Sequence, residues 1–222
     1  HRTKNTTHPP RKFIFSLGYK HELIESYLRE QFPALDYQCS NEEEPLGTGG
    51  AILLACSKAI TENIVVVNGD TLFKAELHEA AMFHNHNMAE CTLLLKPMEN
   101  FDRYGVVETN GDSLVSHFKE KQLYKAGNIN AGLYLLNVPK FLDEEFPDKF
   151  SFEKDYLEKY YRQRRVYGLI QDNYFIDIGI PEDLNRAQIE LAKPLLSLAL
   201  IDKSWTIFID RDGVINHEKK ED

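Results

Sequence analysis

The chain has 222 residues, 42% of them apolar, enough for one α/β domain with a sizeable core, or for one domain and a piece of a second. Its 26 Lys and Arg stand against 35 Asp and Glu, a formal net charge of −9. That balance excludes a general nucleic-acid binder, which relies on clustered positive charge, but not a nucleotide substrate held by a few local donors. No run approaches the ~18 uninterrupted apolar residues of a membrane span, and no signal-peptide pattern is legible. The three cysteines, Cys39, Cys56 and Cys91, lie far apart without metal-ligand spacing and read as reduced thiols of a cytoplasmic protein.

Residues 1–11 are polar, begin with His1 and carry Pro9-Pro10; they read as a disordered lead. Residues 12–17 then read as a strand ending at Gly18, and 20–31 as a helix with Leu23, Ile24, Tyr27 and Leu28 on one face. Pro33 stops that helix, and 36–39 form a short strand. An acidic loop leads into Pro45-Leu46-Gly47-Thr48-Gly49-Gly50, with a helix expected over 51–60. Residues 63–67 form an apolar run ending abruptly in Asn68-Gly69-Asp70. Such a run reads as a buried parallel strand, covered on both faces. Asn-Gly turns the chain there and leaves Asp70 at the carboxyl end of the strand, where open α/β sheets bind ligands.

A helix is expected over 75–87. The pattern then changes to strands over 91–96, 105–109 and 114–119, the last two joined by the turn Asn110-Gly111-Asp112. A further apolar strand covers 130–136, short helices cover 141–145 and 152–160, and strands cover 166–170 and 174–176. Pro181 opens a helix that runs to about residue 193. The alternation predicts α/β architecture: a Rossmann-like, mixed but mainly parallel sheet flanked by helices.

Three groups of residues carry chemistry. The glycines of Leu46-Gly47-Thr48-Gly49-Gly50, placed just before a helix, let backbone approach a planar ligand and offer amides to a base or phosphate. Asp70 and the Asp177 of Phe175-Ile176-Asp177-Ile178-Gly179 sit at separate strand ends and could together hold Mg²⁺, although either could simply cap the following turn or helix. Tyr104-Gly105, Glu120-Lys121 and Asn130-Ala131-Gly132 offer room for a sugar ring, acceptors for its hydroxyls and a cation for its phosphate, or are ordinary surface residues.

Taken in order, these segments, with Asp177-Ile178-Gly179-Ile180-Pro181-Glu182-Asp183, resemble the sugar-1-phosphate nucleotidyltransferase family over residues 12–192. The resemblance implies transfer of a nucleoside monophosphate from a nucleoside triphosphate to a sugar 1-phosphate, with Mg²⁺ as cofactor. It implies that Leu46, Gly47, Thr48, Gly49, Gly50, Asn68 and Gly69 contact the nucleotide and that Asp70 and Asp177 hold the metal. Tyr104, Gly105, Glu120, Asn130 and Gly132 would grip the sugar, and Lys121 would neutralise its phosphate; Asp70, Lys121 and Asp177 form the catalytic set. The family's opening Gly-Gly-x-Gly-Thr-Arg-Leu loop and Pro-Lys-Pro segment do not occur here, and Ile180 stands where the family has Thr. The chain therefore reads as a fragment whose first strand and loop are missing, inactive by itself.

Near the far end, Ile209-Asp210-Arg211-Asp212-Gly213 resembles the first motif of haloacid-dehalogenase-type phosphatases of the histidinol/heptose-bisphosphate branch. There Asp210 would be the nucleophile and Asp212 the general acid. The division implied is a lead over 1–11, a nucleotidyltransferase domain over 12–200 and the start of a phosphatase over 201–222. A phosphatase of that branch beside a nucleotidyltransferase points to GTP and D-glycero-D-manno-heptose 1-phosphate. Mannose 1-phosphate with GTP is the alternative, followed by a non-catalytic binder of nucleotide sugars and by a glycosyltransferase. The oligomeric state is not legible.

Overall fold

The computed structural model describes residues 12–192. The lead over 1–11 and the Asp210/Asp212 motif therefore lie outside the described residues. The described residues open with a βαβ unit: β1 (Phe13–Leu17), α1 (His21–Gln31) and β2 (Tyr37–Asn41), the two strands pairing in parallel. Then follow α2 (Gly47–Cys56), β3 (Asn63–Val67), β4 (Thr71–Phe73), α3 (Leu77–His86), β5 (Cys91–Phe101), β6 (Val106–Thr109), β7 (Val115–Lys119) and β8 (Tyr124–Asn137). A short helix α4 (Val138–Leu142), a π-helix (Phe152–Leu157) continued by α5 (Glu158–Tyr160), β9 (Val166–Ile170), β10 (Phe175–Asp177) and α6 (Pro181–Ala192) complete it. No described helix is long and apolar enough to cross a membrane.

The main sheet has the order β7-β6-β8-β5-β9, with β3 also on β8. The mixed sheet flanked by helices is as expected, but its pairing is not mainly parallel. Strands β3, β5, β6 and β9 run one way, yet β8 threads antiparallel between β5 on one edge and β3 and β6 on the other. Only β5–β9 is a parallel pair in this sheet. For the same reason β3 is not a parallel strand covered on both faces. Among the described residues it pairs with β8 alone, and Val65 is 43% exposed.

Side-chain alternation along β5 and β8 divides the core into two layers. Leu93, Leu95, Tyr134 and Leu136 face α2, α4 and the π-helix, while Leu94, Leu133 and Leu135 face α3. The first layer is closed by aromatic rings. Phe141 is fully buried and meets Phe146, Phe152 and Tyr156 at centroid distances of 5.0, 5.8 and 5.0 Å. Strand β4 has no counterpart among the expected elements, and α2 begins four residues earlier than expected, inside the glycine segment.

Phe141→Ala removes the ring that the other three enclose, leaving a cavity that this layer cannot close. Urea unfolding should show a loss of about 3–5 kcal/mol; a loss under about 1 kcal/mol would mean the layer is loosely packed.

Candidate active site

The site is organised by a break in β8. Between the pairs Leu93↔Tyr134 and Leu95↔Asn130, β5 advances two residues and β8 four. The surplus is a β-bulge at Asn130-Ala131-Gly132, with Gly132 in the left-handed region at φ +68°. Asn130 Oδ1 accepts the Gly132 N–H at 3.1 Å, closing the bulge on itself. On the outer edge of β8, β3 ends at Leu133 and β6 begins at Ile129. The bulge therefore faces a gap between two strand ends.

The segment Asn68-Gly69-Asp70 leaves β3 at this gap. The Asn68 N–H donates to the Gly132 carbonyl at 2.8 Å. The Asn68 amide packs where a Cβ on Gly132 would stand, at 2.7 Å. The chain then turns into β4, which pairs antiparallel with β10, setting Thr71 opposite Asp177. The Ile178 N–H donates to the Asp70 carbonyl at 2.9 Å. The two sequence-predicted acids are thus brought together by backbone pairing. A Cβ on Gly179 would lie 3.0 Å from Asp177 Oδ1 and 3.7 Å from Asp70 Oδ2, which bounds the separation of these oxygens by the sum of the two lengths.

Asp177 is held from several sides. Its Oδ1 accepts the Gly179 N–H at 2.8 Å, and its Oδ2 accepts the Tyr104 hydroxyl at 2.9 Å. Arg103 lies 3.6 Å from the same Oδ2, bonds Asp183 at the start of α6, and covers the Tyr104 ring at 5.5 Å. Burial, then donation to Asp177, pushes the Tyr104 phenol well above its ordinary value. Burial works against the Arg103 charge, but the bond to Asp183 and the proximity of Asp177 outweigh it. Arg103 was not singled out from sequence, where it looks like any loop arginine. Asp70 is exposed, with Thr71 donating to its Oδ1 at 3.1 Å.

Several other candidates sit differently from their expected roles. Gly47, Gly49 and Gly50 lie within the first turn of α2, and their missing side chains admit protein. A Cβ on Gly49 would strike the Phe150 ring at 2.2 Å, and one on Gly50 the Asp148 carbonyl and Leu46 Cβ at 2.7 Å. The Gly49 N–H donates to the Phe150 carbonyl at 3.0 Å, so it is not an amide held open for a ligand. Thr48 accepts the Phe152 N–H through its hydroxyl at 3.0 Å. Gly105 does not leave space for a sugar ring: a Cβ there would meet the Lys119 carbonyl at 2.5 Å. The Tyr104 hydroxyl is on Asp177, as given above. Glu120 and Lys121 are exposed just beyond β7.

One hydrogen-bonded chain joins the glycine segment to the acids. Thr48 holds the start of the π-helix, whose Glu153 Oε1 lies 3.2 Å from Asn130 Nδ2, and Asn130 closes the bulge that Asn68 packs against. Glu153 is a residue the sequence reading missed; only its place three residues after Phe150 in a helix start could have drawn notice. Two open grooves of about 400 Å³ run along β8, one beside Met98 and one beside Val107, and neither takes in Asp70 or Asp177.

Residues 7–193 match the nucleotidyl transferase family. The chain is 51% identical over 178 residues to the D-glycero-alpha-D-manno-heptose 1-phosphate guanylyltransferase of Aneurinibacillus thermoaerophilus, covering 80% of this chain and 77% of that protein. It is 40% identical over 173 residues to the protein of the same name from Campylobacter jejuni, covering 78% and 76%. The crystal structure of HddC from Yersinia pseudotuberculosis complexed with GMP-PN superposes with a TM-score of 0.72 at 32% identity, covering 80% of this chain and 77% of that one.

Gly132→Ala forces a side chain into left-handed backbone and onto the Asn68 amide. A loss of roughly 1–3 kcal/mol in chemical denaturation is expected; an unchanged midpoint would show that the bulge relaxes freely.

Proposed function

The chain belongs to the nucleotidyl transferase family, and we propose that it transfers GMP from GTP to D-glycero-α-D-manno-heptose 1-phosphate, releasing pyrophosphate. It is a sugar-1-phosphate nucleotidyltransferase. The names of the Aneurinibacillus and Campylobacter relatives support both the base and the sugar, and the GMP-PN complex of the Yersinia protein supports a guanine nucleotide. The observation that carries the reading is the convergence of Asp70 and Asp177 beside Gly179.

That pair suits a divalent cation. It offers two carboxylates, hard oxygen donors, around a spot left free by the absent side chain of Gly179. No cluster of three or more metal-ligating side chains occurs among the described residues. Two carboxylates are what Mg²⁺ asks of a protein when phosphate oxygens and water complete its shell. Bound there, Mg²⁺ would neutralise the charge that builds up on the triphosphate.

In the reaction, an oxygen of the sugar phosphate attacks the α-phosphorus of GTP. A new P–O bond forms there as the bond to the bridging oxygen of pyrophosphate breaks, in line with it. No covalent enzyme intermediate is required, so positioning and charge neutralisation supply the rate. Lys121 is assigned to the sugar phosphate and Glu120 to sugar hydroxyls. Leu46, Gly47 and Thr48 are assigned to the base, with Asn68 and Gly69 beside the phosphates. Tyr104 and Arg103 hold Asp177 and keep one of its oxygens turned toward Asp70. Asp210 and Asp212, outside the described residues, fit a neighbouring phosphatase step in the cytoplasm that would yield the heptose 1-phosphate.

Pyrophosphate release by the full-length protein, screened over a panel of nucleoside triphosphates and sugar 1-phosphates, should be fastest with GTP and the heptose 1-phosphate. A preference for another pair would replace the assignment. Asp70→Asn should lower turnover at least a hundredfold, about 3 kcal/mol of lost charge stabilisation; near-normal turnover would remove Asp70 from the metal site.

A further inference from the structure

We propose that Glu153, in the first turn of the π-helix, binds the sugar end of the substrate by accepting a hydrogen bond from one of its hydroxyls. The proposal rests on the reading of the chain as a sugar-1-phosphate nucleotidyltransferase.

Asn130 is the residue there that the family resemblance assigns to the sugar, but its amide is almost fully engaged. Oδ1 accepts the Gly132 N–H at 3.1 Å, and Nδ2 reaches the Tyr134 hydroxyl at 2.9 Å and Glu153 Oε1 at 3.2 Å. An amide NH₂ has two hydrogens to donate, so Asn130 has no donor left. Tyr134 is 2% exposed, and its hydroxyl accepts from Asn130 and donates to Glu153 Oε1 at 3.2 Å. Glu153 therefore closes the network by taking two hydrogen bonds on a single oxygen. Its other oxygen, Oε2, has no partner among the described residues, and the side chain is exposed. A carboxylate offers about four lone-pair sites, so the acceptor capacity remaining at the bulge is concentrated on Oε2.

The position is right for a substrate contact. Asn130 lies on the bulge that faces the gap between β3 and β6, and the turn carrying Asn68 and Asp70 starts at that gap. Burial first, and then the nearby charge of Glu120, hold the Glu158 carboxyl above its ordinary value, with Glu153 adding to the effect. The residue just beyond β7 and the π-helix thus present carboxylates to a common region. A sugar 1-phosphate is a polyol at one end and an anion at the other. Carboxylates accept from the polyol and repel the anion, so Glu153 would turn the phosphate away from itself and toward Lys121 and the acid pair. Tyr134 and Asn130 act by holding this carboxylate in one orientation.

Glu153→Gln separates a binding role from a structural one. Glutamine keeps an acceptor oxygen for Asn130 and Tyr134 but puts an NH₂ donor where Oε2 was. With GTP as the nucleotide, the KM for the heptose 1-phosphate should rise roughly ten- to a hundredfold, the usual cost of losing a hydrogen bond to a charged acceptor. The KM for GTP should stay within about twofold and thermal unfolding should be unchanged. Isothermal titration of the sugar 1-phosphate should show the same loss of affinity. An unchanged sugar KM in Glu153→Gln, or equal changes in both KM values, overturns the role of Glu153 while leaving the transferase reading intact. A full-length wild-type protein that neither binds nor turns over any sugar 1-phosphate overturns both.

Discussion

One irregularity in one strand sets the geometry of this molecule. Strand β8 is bonded to β5 almost throughout, so its other edge is shared between β3 and β6, and the four-for-two bulge at Asn130-Ala131-Gly132 falls between them. A regular β8 would let the two outer strands meet and close the sheet. Gly132 at φ +68° makes the detour possible at low cost, because only a residue without Cβ is at ease there. Asn130 and Asn68 then lock it from either side with one hydrogen bond each. The gap is thus an opening maintained by backbone, with side chains added to its rim.

The acids on that rim are placed by the same means. Asp70 and Asp177 come from distant parts of the chain, yet the β4–β10 pairing sets their backbones side by side. Charge repulsion between two nearby carboxylates is offset on one of them, since Arg103 and Tyr104 both approach Asp177. Asp70 keeps its exposure and, among the described residues, only the Thr71 hydroxyl as a side-chain hydrogen-bond partner. One acid is therefore fixed and the other accessible.

Much of this was legible in the sequence, and the failures have physical reasons. Strands β1, β3, β6, β7 and β9 and helices α1, α3 and α6 follow from apolar periodicity and from Gly and Pro punctuation. The pairing direction did not follow, because an apolar run such as 63–67 looks alike beside a parallel or an antiparallel neighbour. The glycines of 47–50 suggest room for a ligand, whereas a Cβ on Gly49 or Gly50 would collide with Phe150 or Asp148. Sequence shows that a side chain is missing there, not what fills the space. Asn130 was found by its motif, but Glu153 and Arg103 were not. Their importance comes from contacts across 23 and 80 residues, which no local pattern encodes.

The β4–β10 ribbon also has a temporal meaning. Its two strands are separated by nearly the whole of the main sheet, so closing it requires a long loop to be organised first. During synthesis Asp70 leaves the ribosome well before Asp177 does, and a lone exposed carboxylate has little hold on a divalent ion. The juxtaposition of the two carboxylates is thereby a late event, reached only after the strands between β4 and β10 are in place.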